Sequence, residues 1–311
     1  MQRIFAARLL ASFVFALASA SLVSAGHPLV ANEGQTLCWF DAEGQCIEKV
    51  NLTGAPHDIH VLEDGNILTH QHTEIVELDA ESKEIVWKFD ARKLSDVKRV
   101  ELHSIARLPD GNLMVALSGQ GTIYEIDRSG KVARQFDLKR DHPHPHRDTR
   151  LVRPIVDGDN WTYLVAQEGD GYVREYDRDG KIVWEFDVPL FGKEKKGGHG
   201  PEAFGDSVFA ALRLENGNTL IATGNGHSLL EVTPAKEIVW KVEQNDLPGI
   251  TLAWVTTLQV MPNGNIVLGN CHAGEGQPQI IEINREKEVV WSLMDFEHLG
   301  NSVSNSVVMT K

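Results

Sequence analysis

Three cysteines, Cys38, Cys46 and Cys271, are all that 311 residues contain. That is too few for a disulfide scaffold, and no Cys-x-x-Cys pair is present to hold zinc or exchange thiols. Cys38 and Cys46 flank a hairpin turn at 41–44. If Asp41 pairs with Gln45, Cys46 faces Phe40 and Cys38 faces Glu48. The thiols are then diagonal neighbours, a poor geometry for a bridge, and small buried hydrophobes are the expected role. Positive charge is scarce too: 30 Lys and Arg stand against 44 Asp and Glu, for a net charge of −14. Such a surface repels phosphate backbones and anionic bilayers, so neither is expected as a partner. The nucleophile-elbow, zinc-protease and P-loop motifs are all missing. Beyond residue 25 no apolar run is long enough to span a membrane.

Residues 1–25 are different. Arg3 and Arg8 precede the apolar run LLASFVFALASASLV, and Val23-Ser24-Ala25 follows it. This pattern predicts a secretory signal peptide cleaved near Ala25, and hence an exported chain, periplasmic or extracellular, with no transmembrane span once mature. The leader carries two basic residues and no acidic one, so its removal makes the protein more negative.

What the chain has in quantity is a repeat. Residues 208–242, VFAALRLENGNTLIATGNGHSLLEVTPAKEIVWKV, read as four short strands divided by turn residues. The first turn recurs at Asp64-Gly65-Asn66, Asp110-Gly111-Asn112, Asp157-Gly158-Asp159, Asn216-Gly217-Asn218 and Asn263-Gly264-Asn265. Asp-Gly and Asn-Gly between apolar runs are hairpin signals, because both residues tolerate positive φ. The outer hairpin recurs as well, with Trp87, Trp184, Trp240 and Trp291 at equivalent places and Arg134 in the odd unit. Tryptophans so regularly spaced are expected between neighbouring sheets. Five units are complete. Residues 28–50 supply the last three strands of a sixth, and 302–309 supply its first. The expected fold is therefore all-β: one six-bladed propeller of four-stranded blades over 26–311, closed by the C-terminal strand pairing with the N-terminal ones.

In a propeller the inner strand runs from the top face to the bottom. The Gly-Asn turns and the outer hairpin turns then lie below, and the other loops lie above. On that layout 12 of the 13 histidines map at or near the top, all but His27. Histidine is the side chain best suited to proton transfer and metal ligation near neutral pH. Eight residues before each turn glycine stand His57, His103, Arg150, Phe209 and Thr256, predicted at the channel mouth with Ser304 or Asn305. His57, His103 and Arg150 are the candidate catalytic residues, and two imidazoles with a guanidinium suit an anionic or polyhydroxylated ligand. His60, His72, Arg153, His199, His227, His272 and Asn305 are candidate ligand-binding residues on the same face. His142, His144 and His146 alternate in a Pro-bounded segment, read as extended, and form a candidate metal site. The crossing 190–207, with Lys193, Lys195, Lys196 and several glycines, is a candidate lid. Cys271 and His272 are adjacent and point apart, so they do not form a nucleophile–base pair.

The repeated Asp-Gly-Asn or Asn-Gly-Asn hairpin, followed by strands such as DRDGKIVWEF, resembles the PQQ-like repeat propellers. More narrowly it resembles the exported arylsulfotransferase-type propellers of bacteria, over 27–311. The resemblance implies a channel where histidines and an arginine carry a sulfuryl group, and His57, His103 and Arg150 match in kind and place. It leaves the cofactor unknown. The leading expectation is an exported monomer whose top face binds a small polar or anionic ligand, a carbohydrate or aromatic metabolite. Sulfuryl transfer or lyase/hydrolase chemistry on His57 or His103 is the alternative, and a non-catalytic protein-interaction scaffold is the third reading.

Overall fold

Six antiparallel four-stranded sheets make up the fold in the computed structural model, which describes residues 26–310. The signal-peptide expectation lies outside the described residues. In the first blade β1 (Leu29–Glu33), β2 (Thr36–Phe40) and β3 (Cys46–Asn51) follow in order. The second holds β4 (Ile59–Val61), β5 (Ile67–Gln71), β6 (Glu74–Leu78) and β7 (Ile85–Asp90), and the third β8 (Glu101–Arg107), β9 (Leu113–Ser118), β10 (Thr122–Ile126) and β11 (Val132–Asp137). The fourth comprises β12 (Val152–Asp157), β13 (Asn160–Gln167), β14 (Tyr172–Tyr176) and β15 (Ile182–Asp187). The fifth comprises β16 (Ala210–Arg213), β17 (Thr219–Ala222), β18 (Leu229–Val232) and β19 (Ile238–Val242). The sixth comprises β20 (Trp254–Val260), β21 (Ile266–Cys271), β22 (Ile280–Ile283) and β23 (Val289–Leu293). Finally β24 (Ser306–Val308) pairs with β1, setting Leu29 opposite Val308 and Ala31 opposite Ser306. The C-terminal strand is thus the inner strand of the first blade, as the repeat count requires.

Hydropathy explains each strand's place. The middle strands are covered on both faces by neighbouring blades, so β9 and β17 are buried along their whole length and their sequences barely alternate. The outer strands alternate, as in β7 and β11, where a single buried Phe (Phe89, Phe136) ends a mostly exposed run. All six outer hairpins carry the same bulge next to the turn, for example between Glu125 and Ile126 and between Glu231 and Val232. That bulge corrects one expected pairing: Cys46 does face Phe40, but Cys38 faces Lys49 and not Glu48. All three cysteines are free thiols.

Blades are tied to one another through the outer hairpins. Trp87, Trp184 and Trp240 each donate their indole N–H to a turn carbonyl of the next blade, at Arg128 (3.2 Å), Pro234 (3.0 Å) and Arg285 (2.9 Å). Arg134, in the unit without tryptophan, donates to the Arg178 carbonyl at 3.2 Å and so makes the same link. Nearby, a glutamate in each of five blades meets a basic side chain that follows in the ring: Glu77 with Arg128, Glu125 with Arg178, Glu175 with Arg213, Glu231 with Arg285 and Glu282 with His27. The first blade has Trp39 in the glutamate's place, and Lys83 of the second blade stacks on it. The last asparagine of the turn motif also serves these glutamates, since Asn66, Asn218 and Asn265 donate to Glu77, Glu231 and Glu282.

Candidate functional site

A cavity of about 240 Å³ opens at the top of the central channel. The inner strands and the residues leading into them set its wall. Four of the five residues placed there by counting back from the turn glycines line it: His57, Arg150, Phe209 and Thr256. The fifth, His103, is fully buried just behind. The cause is a bulge in β8 between Leu102 and Ser104, which re-aims the one residue it leaves unpaired.

His103 belongs to a group of imidazoles. Its ring centroid is 4.7 Å from His57 and 5.1 Å from His146, and His57 is 6.0 Å from both His146 and His70. His103 Nδ1 contacts the Thr149 carbonyl at 2.7 Å, while its Nε2 is 3.2 Å from Glu101. The same Glu101 oxygen lies 2.5 Å from His146 Nδ1. The contacts with His103 and then His146 hold the Glu101 carboxyl down to about 2, against the effect of burial. His70 accepts the His57 backbone N–H on Nε2 at 2.8 Å, and burial lowers it to about 4. Burial, reinforced by His103 and Arg150, also pushes His57 well below the usual imidazole range.

Arg150 is buried and bonds Glu168 through Nε, with its guanidinium 5.3 Å over the Phe209 ring. Its two terminal nitrogens carry no hydrogen bond among the described residues, and Arg150 lines the cavity. Across the opening the crossing at 190–207 brings in His199, 5.0 Å from Trp254 and 5.1 Å from His272. Burial and then His199 lower His272. This crossing is folded, not loose: Lys196 and Phe204 bridge backbone to backbone, Lys195 pairs with Asp206 at 2.8 Å, and Gln244 holds the Pro201 carbonyl at 2.7 Å.

Other predicted residues go elsewhere. His227 contacts the carbonyls of Ala203 and Ala253 through its two ring nitrogens, so it pins the crossing down and does not face the cavity. His72 is exposed, with φ of 51° and its ring against Gly54. His60 and Arg153 line a wider opening of about 860 Å³ at the bottom, beside the turns of Asp64 and Gly111. Arg153 forks onto Asp58 at 2.9 Å twice, and Asn305 reaches the same carboxylate at 3.3 Å. Asp58 also accepts from Ser104 at 2.6 Å and from the Ile105 N–H at 3.2 Å. This buried knot closes the channel below the histidines, so Arg153 and Asn305 form its floor.

His142, His144 and His146 do not form one metal group. The segment is a turn and not an extended strand, because Arg147 and Asp148 both donate to the His144 carbonyl. His142 projects into solvent near Asp170, His144 Nδ1 accepts the His146 N–H at 3.1 Å, and only His146 enters the cavity. The group of metal-ligating side chains that does converge among the described residues is Glu101, His103 and His146. Sequence reasoning missed Glu101, Glu168, Trp254 and His70 as parts of the site. For Glu101 the Glu-x-His spacing on one strand was a usable signal, since alternate residues share a face.

The family model described as outer membrane protein assembly factor BamB, a PQQ-repeat model, matches residues 29–293. No curated protein matches in sequence. Among solved structures, a protein of unknown function from Bacteroides caccae is similar with a TM-score of 0.73 at 22% identity, over 90% of this chain and 98% of that one. A streptogramin B lyase is similar with a TM-score of 0.58 at 12% identity, over 93% and 95%. A catalytically inactive histidine-to-alanine variant of virginiamycin B lyase from Staphylococcus aureus, with quinupristin, follows at 0.56 and 11%, over 88% and 86%. These likenesses concern the fold.

Proposed function

This chain belongs to the PQQ-repeat propeller family whose model is described as BamB, and on that premise we propose that its top face binds a small anionic ligand. A carboxylated or sulfated carbohydrate or aromatic metabolite fits the chemistry. The observation that carries the reading is Arg150: a buried guanidinium, anchored through Nε to Glu168, with its two outer nitrogens left for a ligand in a cavity that His57, His146, His199 and His272 also line. A guanidinium fork held in that way is preorganised for a carboxylate or sulfate. Phe209 and Trp254 supply the apolar walls that an aromatic ring or sugar face packs on. The larger bottom opening is less suitable despite its size. Its cations are already committed, Arg153 to Asp58 and Arg107 to Glu77 and the Gly111 carbonyl.

The test is a thermal-shift screen of aryl sulfates, uronates and aromatic carboxylates. A ligand at a hundredfold excess over its Kd stabilises by about 2.7 kcal/mol, several degrees in a protein of this size. The shift should vanish in Arg150→Lys, which keeps a cation beside Glu168 and removes the fork. If no compound stabilises the protein, or if Arg150→Lys responds like the wild type, the reading fails. Export as a monomer is part of the same proposal, supported by the leader pattern of residues 1–25 and by the outer-membrane description of the family.

A second reading makes the site catalytic, with His57 as base or nucleophile in lyase or sulfuryl-transfer chemistry. Two facts favour it: His57 lines the same cavity as Arg150, and a structural neighbour is a lyase inactivated by loss of one histidine. It requires turnover of a bound compound by the wild type that His57→Ala abolishes.

A further inference from the structure

Beside the cavity two imidazoles and a carboxylate turn their ligating atoms toward one another. His103 Nδ1 is 2.7 Å from the Thr149 carbonyl, which can only accept, so Nδ1 carries the proton. Its Nε2 points at Glu101 Oε2, 3.2 Å away. His146 Nδ1 lies 2.5 Å from the same oxygen. Three side chains with metal-ligating atoms thus converge on one point in the wall of the cavity. We propose that Glu101, His103 and His146 form a divalent transition-metal site, of the zinc class, in the wall of the top cavity.

Several independent features agree. Two imidazoles and one carboxylate are the donor set of catalytic zinc sites that keep a position open for water or substrate. Their donor atoms all lie within 4.8 Å of one another, against ~3.4 Å between two ligands of a tetrahedral metal with bonds of ~2.1 Å. Small side-chain rotations close that gap. The Thr149 carbonyl is the outer-shell acceptor that fixes a ligating histidine's tautomer and ring plane. His57 packs 4.7 Å from His103, and its Nδ1 is buried without a hydrogen-bond partner, so a further unused imidazole nitrogen lies beside the group. The scaffold is firm. His103 is fixed in β8, and the crossing that carries His146 is held by Asp148, which accepts from the Gly119 N–H at 3.0 Å and from Arg140 at 3.0 Å. Of the neighbouring cations, exposed Arg99 lies 3.5 Å from the other Glu101 oxygen, Oε1, and Arg150 is balanced by Glu168. Since His146 lines the cavity while His103 is buried behind, the open coordination positions face the ligand space.

This site does not depend on the anionic ligand, and its test separates the two. Purified protein is stripped with a chelator, then titrated with Zn²⁺ and with Co²⁺, whose visible absorption reports coordination number. Metal per chain is measured by mass spectrometry after gel filtration. One equivalent should bind, with the intense visible bands of four- or five-coordinate Co²⁺. Glu101→Gln and His146→Ala should each weaken binding by more than about 100-fold, the upper range for loss of an outer-shell partner alone. His142→Ala, on the same crossing and in solvent, should change nothing, and Arg150→Lys should keep the metal. His146 is partly exposed, so its variant should fold even if one at the buried His103 does not; circular dichroism confirms this. The proposal is overturned if no stoichiometric metal binds, if Glu101→Gln binds as the wild type does, or if His142→Ala loses the metal.

Discussion

The lower hairpins and the upper mouth of this propeller are built on opposite plans. Below, the same parts recur from blade to blade: a Gly-Asn turn, a bulged outer hairpin, an indole or guanidinium reaching the next turn, and a glutamate meeting the next blade's cation. Above, the equivalent inner-strand positions that reach the cavity are not repeated. His57, Arg150, Phe209 and Thr256 occupy equivalent positions and differ in chemistry. Repetition serves packing, where each interface has the same geometry to satisfy. Difference serves recognition, where one ligand meets each blade once. Substitutions below should therefore lower stability and spare binding, and those above should do the reverse.

The strongest test of that division is the knot between the two regions. Asp58 is fully buried and takes contacts from Arg153, Ser104, the Ile105 N–H and Asn305. Asp58→Ala should lower stability by about 3–5 kcal/mol in urea unfolding, because it strands a partly buried guanidinium and several donors. Burial alone would raise the Asp58 carboxyl, but Arg153 and then His60 hold it well below the usual range. Its contribution is thus fully present above about pH 4 and is lost only in stronger acid.

The upper region should show its own acid sensitivity at higher pH. His70 is neutral by construction, since its Nε2 accepts the His57 N–H, and burial holds it at about 4. The native state then binds fewer protons than the unfolded chain between about pH 6.5 and 4, so stability falls as the pH drops through that window. The loss from this one group is about 3 kcal/mol. His70→Gln should flatten the profile there; an unchanged slope would mean that His70 is not the group responsible.

Below, Glu231→Ala removes the acceptor of Asn218 and Arg285 and should cost about 1–3 kcal/mol, with ligand affinity intact. Trp240→Phe loses the bond to the Arg285 carbonyl and part of the ring on which the Arg285 guanidinium stacks at 4.5 Å, for about 1–2 kcal/mol. An effect of either on ligand binding would contradict the separation of the two faces.

The same contrast explains what could be read from the sequence. Turn glycines and strand periodicity follow local rules, so the blade count, the closing strand and the channel positions of His57 and Arg150 were legible. Arg134's role was not, because the equivalence of a guanidinium and an indole as donors appears only across two blades. The site was read in part. Counting by strands placed His103 on the wall, but a bulge invisible to the count turned it inward. His142, His144 and His146 alternate in sequence, and the turn that separates them depends on Asp148 holding the His144 N–H. His227 looked like its neighbours on the top face, yet its partners come from Ala203 and Ala253, 24 and 26 residues away. Long-range carbonyls of that kind leave no trace in a local pattern.

The central claim is that ligand recognition belongs to the upper cavity and centres on Arg150. It is tested most directly by titration calorimetry of the best anion from the thermal screen against three proteins: the wild type, Arg150→Lys, and His60→Ala at the bottom opening. The expected result is one site per chain, with affinity lost in Arg150→Lys and unchanged in His60→Ala. Undiminished binding by Arg150→Lys, with loss in His60→Ala, would place the ligand at the opposite mouth and contradict the account.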